Sequence, residues 1–235
     1  MASDGHKLMA HGDLEELIPG VWMVTGSLPF PLRRNMTVVK LRDGTLLLHS
    51  VVAMNDAGMA KLDALGKPSV MIVPSTGHRL DAGFYKARYP DVRVLCPAGA
   101  RAAVEKVIKA DATCEEALPA LGVRVHPVGA MRSAELAYEV DVAGGKALLL
   151  CDLVANRDHP PGLGGKIMAS VTGGIKGRLG VPRIVKLMLV KDKASVRREI
   201  GKLAELPDLA LLTVSHGRPL KDGVADALKE AAASL

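Results

Sequence analysis

The chain has 235 residues, of which 49% are hydrophobic, 24% are charged and 3% are aromatic. This composition is typical of a globular protein, and the scarcity of aromatic residues predicts a core of aliphatic side chains. The formal net charge of +6 permits an anionic ligand or surface but does not by itself indicate nucleic acid. No apolar run approaches the ~20 residues of a membrane-spanning helix, and the polar N-terminus lacks the apolar centre of a signal peptide.

Three cysteines, Cys96, Cys114 and Cys151, are spaced widely along the chain, and no Cys-x-x-Cys pair occurs. This spacing argues against a disulfide framework and against a structural zinc site built from thiolates. Cys96 and Cys151 end apolar runs, which predicts buried free thiols. Because neither a membrane-spanning helix nor a signal peptide is predicted, we expect a cytoplasmic protein.

The first half of the sequence predicts alternating strands and helices after a polar N-terminus. Residues 1–16 are predicted to be flexible, and residues 17–235 to form a single domain. Strands are predicted at 20–28, 36–41, 43–54, 68–75 and 92–99, and helices at 55–66, 80–90 and 100–110. The alternation of strand and helix indicates that this part of the sheet is parallel or mixed.

The second half predicts further strands, one amphipathic helix and a closing helix. Strands are expected at 121–129, 135–145, 146–156 and 210–217, with a hairpin turn at Gly144–Gly145, and helices at 193–206 and 221–235. The Gly- and Pro-rich stretch 157–182 predicts either a long loop or two short helices. This order fits an α/β fold of two sheets with helices outside them, and a doubly wound single sheet is the competing architecture.

A short polar turn follows the predicted strand at 68–75 and precedes a predicted helix. The turn contains His78 and, three residues later, Asp81. Polar side chains at the carboxyl end of a strand are typical of functional sites in α/β folds. Asp152 and His216 lie toward the carboxyl ends of the predicted strands 146–156 and 210–217, so His78, Asp81, Asp152 and His216 are all candidate site residues.

The order of these elements and polar residues resembles the metallo-β-lactamase superfamily, whose hallmark is a His-x-His-x-Asp-His loop after a strand. His78 matches the second histidine of that loop, whereas Thr76, Leu80 and Asp81 replace the first histidine, the aspartate and the last histidine. Asp152 is similar to the aspartate that bridges the metals, and His216 to the last histidine. The resemblance covers residue 18 to the end, and is strongest to a divergent branch with a modified metal loop.

The resemblance implies an αββα sandwich of two mixed β-sheets flanked by helices. It also implies that His78, Asp152 and His216 are metal ligands for one zinc, iron or manganese ion, and that Asp81 is a ligand or the catalytic general base. Leu80 is apolar and cannot replace a carboxylate ligand, and Ala130 or Met131 stands where the family has a further histidine. These departures predict a degraded metal site.

Two functions are therefore compatible with the sequence. The first is a protein that binds a small molecule or a partner at the degraded site, and the alternative is a mononuclear, metal-dependent hydrolase of small ester, thioester or lactone-like substrates. Each site residue also has a structural interpretation. Asp81 would cap the helix that follows it, His78 and His216 would hold turns, and Asp152 would accept backbone N–H groups.

Residues 166–198 are rich in lysine and arginine and contain large apolar residues but no aromatic ones. The missing aromatics argue against nucleic acid as a partner, because single strands usually stack their bases on such rings. The segment instead predicts either a helix that covers the core or a surface for a membrane or a protein partner. Ser50, which ends an apolar strand, lacks the Gly-x-Ser-x-Gly elbow of a nucleophile, so a hydrogen-bonding role is expected.

Overall fold

A computed structural model describes residues 6–30, 32–156 and 178–235. The chain divides into two compact units, Met1–Val125 and His126–Leu235. Whether residues 17–235 behave as a single domain stays a prediction. Two residues that the sequence placed in the flexible N-terminus already pair in the first sheet, because Glu15 lies opposite Met23 and Glu16 opposite Trp22.

A mixed sheet of seven described strands forms the first unit, in the order β1 to β7 along the chain. The strands are β1 (Glu15–Ile18), β2 (Val21–Ser27), β3 (Arg33–Lys40), β4 (Leu46–His49), β5 (Pro68–Ile72), β6 (Arg93–Cys96) and β7 (Ala112–Thr113). Neighbours from β1 to β4 are antiparallel, and neighbours from β4 to β7 are parallel. The parallel half requires crossover connections, so the polar turns that end β4 and β5 lie at the same edge of the sheet.

The helices of the first unit are α1 (Asp56–Leu65), α2 (Ala82–Arg88), α3 (Arg101–Val104) and α4 (Cys114–Ala117). Helix α1 has the predicted bounds, since the Asn55 side chain accepts a hydrogen bond from the Gly58 N–H group and Gly66 ends the helix. Helix α3 is shorter than the predicted 100–110. Val107, beyond the end of α3, is 54% exposed.

The second sheet contains β8 (Val123–Pro127), β9 (Leu136–Val142), β10 (Gly145–Leu150) and β11 (Leu209–Val214). Its order is β11-β10-β9-β8, with β10 parallel to β11 and antiparallel to β9. The predicted hairpin is confirmed: Val142 lies opposite Gly145, and the φ angle of Gly144 is 84°. The prediction of two mixed sheets is therefore confirmed, and the alternative of one doubly wound sheet is wrong.

Helices α5 (Arg183–Met188), α6 (Lys193–Ala204) and α7 (Val224–Ala233) belong to the second unit. The apolar stripe of α6 lies in a hydrophobic core with residues of α7, and its buried members are Val196, Ile200, Leu203 and Ala204. The Asp192 side chain caps α6 by accepting a hydrogen bond from the Ala194 N–H group. Most of the stretch 157–182, for which a loop or two short helices were predicted, lies outside the described residues.

Candidate functional site

His78 is held in its turn by a buried serine. The Oγ atom of Ser50 lies 2.8 Å from Nδ1 of His78, and both residues are buried. Ser50 directly follows β4 and has a φ angle of 58°, in the left-handed region that L-residues rarely occupy. The expected hydrogen-bonding role of Ser50 is thus observed, and its partner is one of the predicted site residues.

Asp81 does not cap helix α2. Its side chain makes no capping hydrogen bond, although Asp81 immediately precedes the helix. Instead Oδ2 accepts hydrogen bonds from Nη2 of Arg34 and, over 2.7 Å, from the Ala53 N–H group. Oδ1 lies 3.1 Å from Nε2 of His6. The structural role predicted for Asp81 is therefore wrong, and an ion pair takes its place.

Arg34 lies on β3, and its side chain is buried in the first unit. Its side chain is 3% exposed and donates from Nη1 to the Val51 carbonyl oxygen over 3.0 Å. Burying a guanidinium is costly unless a carboxylate faces it, so the two groups depend on each other. The positive charge of Arg34 would repel a metal cation placed beside Asp81.

Asp152 and His216 meet at the edge of the second sheet. They follow the parallel strands β10 and β11, whose carboxyl ends are adjacent, and Oδ1 of Asp152 lies 3.3 Å from Nε2 of His216. Two ligand atoms bound to one tetrahedral zinc ion are separated by roughly 3.3–3.4 Å, from bond lengths of about 2.0–2.1 Å. The same distance also suits a direct hydrogen bond between the two side chains.

The turn after His216 requires glycine. Gly217 has a φ angle of 118°, and a Cβ atom at this position would lie 2.0 Å from the Asn156 carbonyl oxygen. The close approach lets the Asn156 N–H group donate to the His216 carbonyl oxygen and the Arg218 N–H group donate to the Asn156 carbonyl oxygen. This backbone pairing fixes the position of His216.

Several solved structures resemble this fold. A metallo-β-lactamase from Erythrobacter litoralis aligns with a TM-score of 0.61 and 13% identity, over 94% of this chain and 96% of that one. The DIM-1 metallo-β-lactamase aligns with a TM-score of 0.65 and 12% identity, over 96% of this chain and 99% of that one. The mono-zinc form of FIM-1 from Pseudomonas aeruginosa gives 0.60 and 12% over 94% of both chains.

This chain has the metallo-β-lactamase fold. The predicted fold class is confirmed by these alignments. No family model and no curated protein matches the sequence. Identities of 12–13% show the fold alone and carry no ligand or activity to this chain.

The contacts of the predicted site residues differ between the two units of this metallo-β-lactamase fold. Asp152 and His216 are brought together in the second unit, and their contact suits two ligands of one ion. In the first unit His78 contacts Ser50, and Asp81 is bound to Arg34. Leu80 is 50% exposed. That His78, Asp152 and His216 bind one metal ion stays a prediction.

The sequence interpretation missed Glu135, a buried carboxyl group immediately before β9. Its Oε1 atom accepts hydrogen bonds from the N–H groups of Cys151, Asp152 and Leu153 over 3.1–3.2 Å. Burial and the neighbouring charge of Asp152 raise the pKa of Glu135 to about 8, against the opposing effect of the three N–H groups. Glu135 thus holds the backbone of the turn that presents Asp152.

Proposed function

We propose that this protein is a divergent member of the metallo-β-lactamase fold with a degraded metal site, and that it binds a small ligand or a protein partner there. The observation that carries this proposal is the buried ion pair between Asp81 and Arg34. The hallmark loop retains one histidine, and its remaining carboxylate already neutralises a cation. A loop with one histidine and a carboxylate already paired with an arginine fits ligand binding better than metal-dependent hydrolysis.

The experiment is a metal analysis of protein purified without an affinity metal. We expect far less than one zinc, iron or manganese ion per chain, and no heat of binding when each metal is titrated in. A panel of small esters, thioesters and lactones should remain unhydrolysed. One bound ion per chain, together with hydrolysis of any of these substrates, would overturn the proposal.

The contact between Asp152 and His216 favours a second candidate function, a mononuclear metal-dependent hydrolase. His78, Asp152 and His216 would be the ligands, and the ion would supply an activated water when bound. Asp81 would act as general base only if Arg34 released it. For this function Asp152→Asn should abolish both metal binding and hydrolysis, while Asp222→Asn, an exposed control in the same unit, should change neither.

We also propose a cytoplasmic location. The three cysteines are free and buried in the structure, which agrees with a compartment in which thiols stay reduced. No helix among the described residues has the length and apolar character needed to cross a membrane. Fractionation of cells that produce the untagged protein would test this location.

A further inference from the structure

Helix α5 exposes an apolar stripe instead of burying one. Ile184, Leu187 and Met188 are 40%, 82% and 62% exposed, whereas Val185 is buried. Positions separated by three and four residues lie on one face of a helix, so these three side chains form a continuous patch. Large apolar side chains grouped in this way on a short helix indicate a binding surface.

The stretch of sequence that contains this patch is strongly basic. Residues 178–198 contain seven lysine and arginine side chains and one carboxylate, a net charge of +6 that equals the formal net charge of the whole chain. In the described part of the chain no carboxylate pairs with Arg183, Lys191 or Lys193. The single acidic residue, Asp192, is engaged in capping α6.

The cations are close enough to influence one another. Burial, followed by the charges of Lys193 and Arg183, lowers the pKa of Lys186. Lys186 also donates a hydrogen bond to the Ser234 carbonyl oxygen. Arg183, Lys191 and Lys193 are exposed to solvent. Mutual repulsion of this kind would be relieved by an anionic surface.

We propose that α5 and the start of α6 dock onto the surface of an anionic lipid bilayer. Leu187 and Met188 would enter the boundary between headgroups and acyl chains, and Arg183, Lys191 and Lys193 would contact the phosphates. Exposed apolar side chains flanked by cations are the pattern of interfacial helices. Nucleic acid fits less well, because residues 178–198 contain no aromatic side chain. This inference does not rest on the proposed function.

The experiment is sedimentation of the full chain with vesicles of phosphatidylcholine alone and of phosphatidylcholine mixed with phosphatidylglycerol. We expect binding only to the mixed vesicles, and a steep decrease with salt because the attraction is screened. Lys191→Ala should weaken binding about fivefold, the effect of one cation near a charged surface. Leu187→Asp should remove most of the binding.

Matched controls separate the surface from general effects of charge and stability. Val107→Asp changes another exposed apolar residue, 54% exposed and in the first unit, and should leave vesicle binding unchanged. Lys40→Ala removes an exposed cation from β3 and should also have little effect. Circular dichroism and the melting temperature of each variant would show whether it is folded.

Three results would overturn the proposal. The first is the absence of binding to mixed vesicles at low salt, and the second is equal binding to neutral and mixed vesicles. The third is binding that Leu187→Asp leaves intact. Binding of an acidic polypeptide or a DNA oligonucleotide without vesicle binding would assign the surface to a different partner and likewise reject the lipid proposal.

Discussion

Arg34 and Asp81 form a buried ion pair that joins β3 to the turn before α2, with both side chains only 3–4% exposed. The pair takes the place of the helix cap that the sequence had suggested for Asp81. Its consequence for stability differs from that of a cap. Removing an N-cap costs about 0.5–2 kcal/mol, whereas removing one partner of a buried ion pair leaves an uncompensated charge.

Asp81→Ala should therefore reduce the free energy of unfolding by about 3–5 kcal/mol, the usual cost of isolating one charge of a buried pair. Urea denaturation at neutral pH measures this loss. The exposed pair of Lys67 and Asp91 provides the control, since Asp91→Ala should cost no more than about 1 kcal/mol. A loss near 1 kcal/mol for Asp81→Ala as well would contradict the importance of the pair.

The role of Asp81 could not be predicted from the local sequence because its partner is 47 residues away. The helix at 55–66, which Asn55 caps, and the hairpin at Gly144–Gly145 were predicted correctly, since both signals are complete within a few residues. The fold class could be predicted because it depends on the order of many strands and helices. Buried polar contacts depend on which strands become neighbours, which the sequence does not state.

Glu135 offers a second test of a contact that the sequence did not reveal. Glu135→Ala removes the acceptor for three backbone N–H groups, and we expect a loss of about 1–3 kcal/mol in unfolding free energy. Glu135→Gln retains an acceptor oxygen and should lose much less. Amide hydrogen exchange at Cys151, Asp152 and Leu153 should accelerate in the alanine variant. Unchanged exchange at these three amides would show that Glu135 does not hold the turn.

The pH dependence of stability can be tested away from the site, at Asp63. Burial alone would raise its pKa, but hydrogen bonds from Tyr89 and Arg88 and the charge of Arg88 outweigh burial and lower it below 3.8. A depressed folded-state pKa stabilises the fold above the unfolded value, and this stabilisation is lost as the pH falls through the folded value.

We therefore expect Asp63→Asn to be less stable than the natural protein at neutral pH, by an amount that shrinks below about pH 4. Thermal melting across the acidic range measures the difference. Burial, followed by the hydrogen bond to the Asp63 carboxylate, raises the pKa of Tyr89 to about 12, so Tyr89→Phe should remove a loss of stability that occurs between about pH 10 and 12. A constant difference between Asp63→Asn and the natural protein at all acidic pH values would contradict this account.

The two glycines Gly217 and Gly201 should respond in opposite directions to the same substitution. Gly217→Ala forces an L-residue into a φ angle of 118° and places a methyl group 2.0 Å from a backbone oxygen. Strain and forced displacement together should cost about 3–5 kcal/mol. Gly201 lies inside α6 with no atom near an added Cβ, so Gly201→Ala should stabilise the protein by about 0.5–1 kcal/mol.

Because Gly217 fixes the backbone beside His216, the Gly217→Ala variant should also move that side chain. In a folded variant the imidazole resonances of His216 should shift, whereas those of His126, which pairs with Glu139 over 2.7 Å, should stay in place. Gly201→Ala should shift neither. If Gly217→Ala proved as stable as the natural protein with unchanged His216 resonances, the turn would tolerate a side chain, and the backbone pairing of Asn156 with residues 216–218 could not be what positions His216.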